Sequence, residues 1–214
     1  MKDKQSTIMC SSCPKMECRL GYPGGIPSWC MATKYETVLE QTKKQYSEAT
    51  DVNIYLAAGK VVRSGYGKWP RIQEAIEFAK ALNLSKIGLA SCVALSNELM
   101  LITELFTGAG FEVVSAVCQI GRIPPEDRGV TLDDDSDHRG LNCNPIAQAE
   151  ICNSEGTELN YIIGLCLGHD ILFTRHSKAP VSTLIVKDRV TGHNPAVALY
   201  ASQVRQPIWK LYCD

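Results

Sequence analysis

The stretch Tyr161–Asp170, YIIGLCLGHD, decides how the rest of the chain reads. Its Ile- and Leu-rich run is too short for a helix and ends at glycines, the pattern of a parallel strand buried on both faces. The strand is expected to stop at Cys166, with an imidazole, His169, three residues on. Two earlier runs end in the same way: Lys86–Ser91 (KIGLAS) meets Cys92, and Phe111–Val117 (FEVVSAV) meets Cys118. Between them Ser96 and Leu99 begin a helical run to Thr107, which Gly108 and Gly110 stop. Residues 86–117 therefore form a βαβ unit, whose crossover is right-handed in nearly all proteins. In an open sheet of this kind ligands bind beyond the carboxyl ends of the strands. Three thiols are thereby predicted to share one crevice.

Around this frame other elements bring further groups to the same edge. Cys143 stands in LNCNP, where Asn144 reads as an N-cap and Pro145 as the first helical residue. Its sulfur then lies near the positive end of a helix dipole, which favours a thiolate or an anionic cluster. Cys152, among Ile146, Ala149 and Ile151 of that helix, reads as core. A further strand, Pro180–Val186, runs into Lys187, Asp188, Arg189 and His193, and a second Asn-Pro, Asn194-Pro195, starts a helix over Ala196–Ser202. Lys187 and Arg189 suit a carboxylate or phosphate, and Asp188 or His193 can transfer a proton. His169 is the nearest acid, base or fourth ligand to the thiols. The candidate catalytic set is thus His169, Lys187, Asp188 and His193, beside a cofactor set of Cys92, Cys118, Cys143 and Cys166. If only three of those thiolates held a cubane cluster, its open iron would serve as a Lewis acid.

Ten cysteines in 214 residues depart from ordinary composition. With 22 basic and 23 acidic residues the net charge is −1, so no broad field recruits nucleic acid or an anionic membrane. Met1–Ile8 is polar, no signal-peptide core follows, and no apolar run reaches the ~18 residues of a membrane span. A cytoplasmic, reducing location follows as an expectation, and there excess cysteine points to metal or redox chemistry. No G-x-G-x-x-G follows the KIGLAS strand, and Ser182 and Thr183 lie in no nucleophile elbow. Nicotinamide and α/β-hydrolase readings are disfavoured.

The head, residues 9–30, is MCSSCPKMECRLGYPGGIPSWC. Its spacing, Cys10-x2-Cys13-x4-Cys18-x11-Cys30, gives one tight turn with two thiolates and two more to complete a site. Tetrahedral zinc and a cubane iron–sulfur cluster share these ligands, and the spacing leaves the two open. Ala32–Ser47 and Asp51–Arg63 read as helices, and Pro70 opens another that runs through Asn83. Lys68, Trp69 and Arg71 read as its solvated start. The long polar connection Gln119–Leu141 carries Asp133–Asp137 but lacks a calcium loop's glycine and terminal glutamate. It reads as a solvated acidic loop or a lid over the crevice.

The segments CNPIAQAE (143–150), GLCLGHD (164–170) and SKAPVSTLIVKDRVTGHNPAVALY (177–200), with the head CSSC-x4-C, resemble the cysteine-rich, predicted metal-binding family of unknown function number 1847. The resemblance implies metal binding by Cys10, Cys13 and Cys18 and a site at Cys118, Cys143 and Cys166, and it implies no reaction. The expected fold is α/β, a mostly parallel Rossmann-like sheet of four to five strands with flanking helices. Residues 1–34 would form the metal-binding head and 35–214 a helical segment plus the α/β domain. The expected function is an iron–sulfur protein, of the 4Fe–4S kind, whose crevice takes a small anionic or sulfur-containing ligand or meets a redox partner protein. The alternatives are a zinc protein that handles metal without catalysis, and a thiol enzyme with Cys166 as nucleophile and His169 as base.

Overall fold

The structure, a computed structural model, describes residues 10–129 and 142–213. The acidic run Asp133–Asp137, read as a loop or lid, and the polar leader Met1–Ile8 lie outside the described residues. The chain divides into two compact units, Met1–Ala58 and Gly59–Asp214.

The first unit begins with single helical turns at Cys10–Ser12 and Glu17–Leu20. Its loops use left-handed backbone at Met16, Gly21, Tyr22 and Gly25. Helices α1 (Met31–Lys34) and α2 (Glu36–Gln45) replace the one helix expected over 32–47. The break falls at Tyr35, which leaves helical geometry at φ −112° and ψ 29° while its N–H still reaches the Met31 carbonyl. Helix α3 (Ala49–Gly65) starts two residues earlier and ends two later than expected. Among the described residues, Ala57 is the first buried one, so residues 10–56 contain no hydrophobic core. A segment of that size without a core depends on cross-links for a defined shape.

In the second unit Pro70 caps α4 (Arg71–Ala81), and the chain enters β1 (Lys86–Ser91), α5 (Ser96–Gly108) and β2 (Glu112–Val117). There follow α6 (Pro145–Ser154), β3 (Leu159–Ile163), α7 (His169–His176), β4 (Val181–Ile185), α8 (Val197–Tyr200) and α9 (Ser202–Tyr212). The four strands are parallel in the order β2-β1-β3-β4, so the expected α/β sheet is present with four strands. From β1 the chain moves one way to β2 and then returns to the other side of β1 for β3. That reversal is a topological switch point, and the crevice between the carboxyl ends of β1 and β3 lies there. The central strands β1 and β3 are buried almost throughout, which explains why they read as continuous apolar runs.

Alternation of side chains assigns the two faces. On one, Tyr161 is 1% exposed, packs against Phe106 with ring centroids 5.4 Å apart, and donates its hydroxyl to the Ala75 carbonyl of α4. On the other, Gly88 is paired with Asn160, whose side chain fills the space a Cβ would occupy, beside Cys152 of α6. Asn160 accepts from Thr157 Oγ1 at 2.7 Å and donates to Ser177 Oγ at 2.8 Å.

Several expectations need correction. Strand β3 ends at Ile163, three residues before Cys166, because Gly164 turns the chain at φ +60° beneath Leu95. A Cβ at residue 164 would come within 2.6 Å of a Leu95 methyl, so the turn requires glycine. Asn144 caps as expected, accepting from the Ala147 N–H at 3.1 Å, whereas Asn194 offers its backbone carbonyl to Val197 and the cap position falls on Ala196. The helix expected over 196–202 is the single turn α8. Helices α7 and α9 were not anticipated. Among the described residues no helix is long and apolar enough to cross a membrane.

Candidate metal centres

At the switch point the register places the thiols. Ser91 is level with Val117 of β2 and Ile163 of β3, so Cys92 and Cys118 leave adjacent strands at the same height. The Asn144 N–H is bonded to the Cys118 carbonyl at 2.6 Å, which brings Cys143, just before α6, onto Cys118. The sulfurs of Cys118 and Cys143 are 3.5 Å apart, and the Val93 N–H donates to the Cys118 sulfur at 3.4 Å. Cys92, Cys118 and Cys143 are 6%, 2% and 5% exposed. Cys166 is half-buried in the turn after β3, and Arg189 Nη2 donates to its sulfur at 3.5 Å.

The electrostatics tie these groups together. Hydrogen bonding from the Cys118 thiol is the main influence pulling the Cys92 thiol well below its ordinary pKa, and the Lys187 ammonium acts in the same direction. The Cys118 proton is correspondingly held, by that bond to Cys92 and by burial. Burial pushes Cys143 up, with the charges of Cys166 and Cys92 adding and that of Lys187 opposing. Lys187 Nζ is shielded from solvent and, among the described residues, forms no hydrogen bond of good geometry. A shielded ammonium is costly unless it is paired, and the sulfur of Cys92 beside it supplies that pairing when ionised.

The other crevice residues have different surroundings. Asp188 Oδ1 accepts the N–H groups of Val190 and Thr191 at 2.9 and 3.1 Å. The Thr191 hydroxyl leads these contacts in holding the Asp188 carboxyl below the ordinary value. His193, at φ +68°, accepts the Asp188 N–H on Nδ1 at 3.1 Å. Asp188 and His193 thus brace one loop. His169 begins α7, and its N–H is bonded to the Cys166 carbonyl at 2.9 Å. Arg71, read as a solvated helix start, donates to Ser182 Oγ at 3.0 Å.

In the first unit Cys10, Cys13, Cys18 and Cys30 line one cavity of about 460 Å³ together with Tyr22, Trp29 and Tyr35. The Met16 N–H donates to the Cys13 sulfur at 3.2 Å, and the Tyr22 hydroxyl lies 3.7 Å from the Cys30 sulfur. That contact with Cys30, then burial, then the charges of Cys30, Cys18 and Cys10 push the Tyr22 phenol up to about 12. All ten cysteines are free thiols. Among the described residues no three or more His, Cys, Asp or Glu side chains stand close enough, as placed, to hold a metal ion.

Two residues escaped the sequence reading. Gln148 is fully buried in α6, and its Nε2 donates to the carbonyls of Ser91 and Ala116 at 3.1 and 2.7 Å, fastening the ends of β1 and β2 beneath the thiols. An amide within the apolar face of a helix was the available signal. Tyr22 gave no signal beyond its place between cysteines.

A doubly wound α/β unit with thiols gathered at its switch point, preceded by a coreless cysteine-lined segment, is the class these observations define. The chain belongs to the family described as Protein of unknown function (DUF1847), whose sequence model matches residues 30–184. An uncharacterized protein of Methanocaldococcus jannaschii, MJ0455, is 38% identical over 194 residues, which cover 90% of this chain and 94% of that relative. The family match spans Cys30, the four crevice cysteines and Cys152, and begins after Cys10, Cys13 and Cys18.

Proposed function

We propose that this is a metal-binding protein carrying iron–sulfur groups, one held by Cys10, Cys13, Cys18 and Cys30 and one by the crevice cysteines, where a small anionic or sulfur-containing ligand is bound. The observation that carries the reading is the convergence of Cys92, Cys118, Cys143 and Cys166 on a crevice that also contains the solvent-shielded Lys187 ammonium, set against Cys92. Thiolates are the ligands such groups take, and with four of them a 4Fe–4S group is anionic, the charge Lys187 and Arg189 would offset. The donor set fits in the head as well. Four free thiols face one cavity, a backbone N–H points at one sulfur and a phenol at another, the second sphere that thiolate ligation calls for. Bound in the crevice, such a group would supply electron transfer or Lewis acidity. The chain's own part is to gather the sulfurs, exclude water from three of them, and hold two cations beside them.

A second reading has one observation in its favour. The 3.5 Å between Cys118 and Cys143 is close to the ~3.8 Å edge of a tetrahedron of sulfurs 2.3 Å from zinc. A zinc protein that stores or delivers metal without catalysis would use that geometry.

The test is metal and acid-labile sulfide per chain after strictly anaerobic purification. The native protein is compared with Cys10→Ser/Cys13→Ser and Cys118→Ser/Cys143→Ser variants. Iron with matching sulfide, roughly halved in each variant, is the expected result. Zinc without sulfide would replace the first reading by the second, and a native protein with no metal would overturn both.

A further inference from the structure

The four crevice sulfurs are not equivalent. Cys92, Cys118 and Cys143 are nearly closed to solvent, and Cys118 touches both of the others. Each of the three is fixed by the main fold. Cys92 N–H is bonded to the Ile163 carbonyl, Cys118 takes the Val93 N–H, and Cys143 is held by the bond from Asn144 to Cys118. Cys166 stands apart. It sits in the turn released by Gly164, three residues beyond β3, half-buried, and its sulfur contact is the guanidinium of the exposed Arg189. The cations divide in the same way: the Lys187 ammonium is shut inside with Cys92, and Arg189 lies outside at Cys166.

Resting on the iron–sulfur reading above, we propose that Cys92, Cys118 and Cys143 hold the metal group permanently, while Cys166 and Arg189 frame an exchangeable position for an exogenous sulfur anion, hydrosulfide or a small thiolate. Arg189 already donates to a sulfur there, and a second sulfur anion accepts the same hydrogen bond. Soft metal sites prefer sulfur over oxygen ligands, which sets the ligand class. Lys187 balances the permanent trio, and Arg189 travels with whichever sulfur occupies the mouth. In this arrangement Cys166 is a placeholder that closes the crevice when the exogenous anion is absent.

The test starts with anaerobically purified protein in its metal-loaded form, treated briefly with iodoacetamide and mapped by mass spectrometry. Cys166 is expected to be alkylated with metal content unchanged, while Cys92, Cys118 and Cys143 stay protected. Cys166→Ala should keep the crevice metal that Cys118→Ala loses, and calorimetric titration of loaded Cys166→Ala with sodium hydrosulfide should show one equivalent bound. Adding Arg189→Gln should weaken that binding by about tenfold or more, the worth of a hydrogen bond to a charged group. Protection of Cys166 equal to that of the other three, loss of metal from Cys166→Ala equal to that from Cys118→Ala, or no hydrosulfide binding would overturn the proposal while leaving the iron–sulfur reading intact. A native protein without metal would overturn both.

Discussion

The side-chain amide of Gln148 donates to the Ala116 carbonyl at 2.7 Å, from the middle of α6 to the end of β2, two residues before Cys118. The same nitrogen reaches the Ser91 carbonyl, next to Cys92. One side chain therefore fixes the height at which two crevice thiols leave their strands, and it belongs to the helix that Cys143 precedes. Gln148→Leu fills similar space but removes the side-chain hydrogen bond that each of these two carbonyls accepts. We expect a loss of about 1–3 kcal/mol in unfolding free energy, the net worth of two buried hydrogen bonds. Urea unfolding followed by circular dichroism measures it, and a loss below 1 kcal/mol would mean that the amide is dispensable.

Gly88 faces Asn160 across the β1–β3 pair so closely that a Cβ would lie 1.9 Å from Asn160 Oδ1 and 3.0 Å from the Cys152 sulfur. Asn160 cannot retreat, because Thr157 and Ser177 hold both ends of its amide. Gly88→Ala should therefore destabilise the second unit by about 1–3 kcal/mol through overpacking. Combining it with Asn160→Ala should recover part of that loss, a coupling that a double-mutant cycle reads directly.

The strands that build the crevice were legible because they are buried on both faces, so that apolar runs ending in Cys92 and Cys118 announced their own limits. Cys166 was harder. Hydropathy continues through Leu165, and only the positive φ of Gly164, imposed by the packing of Leu95, separates strand from turn. Asp188 and His193 look alike as catalytic candidates in sequence, yet the bonds that occupy them are made within one loop whose path composition does not specify. The head cysteines were conspicuous in sequence, where proline and glycine exclude regular structure. That they line one cavity with Tyr22 depends on backbone turns at Met16 and Tyr22, residues with no marked preference for left-handed geometry.

Asp188 is held below the ordinary carboxyl value by the Thr191 hydroxyl and by the N–H groups of Val190 and Thr191. A lowered folded pKa contributes stability that is present above the unfolded value of 3.8 and lost as pH falls through the lower folded one. Amide exchange protection at Val190 and Thr191 should accordingly persist at pH 5 and collapse only below pH 3.8. Asp188→Asn, which retains an oxygen acceptor, should keep part of that protection at neutral pH, and Asp188→Ala should abolish it. Unchanged exchange in Asp188→Ala would show that the loop is braced by something else.

Cys152 separates a structural cysteine from the candidate ligands. It is 0% exposed in α6, beneath Gly88, and burial pushes its thiol up to about 11 from an ordinary 9.0. At pH 8 this leaves about a hundredfold less thiolate than an unperturbed cysteine would have, so iodoacetamide should not modify it in the native protein. The sign of the pH effect follows from the raised value. The unfolded chain ionises first, so stability present below pH 9 is lost as pH rises toward 11. Cys152→Ala removes that ionisation. It should cost about 1–2 kcal/mol at neutral pH for the small cavity left, and should flatten the decline of the urea midpoint between pH 9 and 11. Its metal content should equal that of the native protein, whereas Cys118→Ala, which differs from it in position and not in chemistry, should empty the crevice. Loss of metal from Cys152→Ala in a protein that still unfolds cooperatively would put Cys152 among the ligands and require the assignment of the crevice to be redrawn.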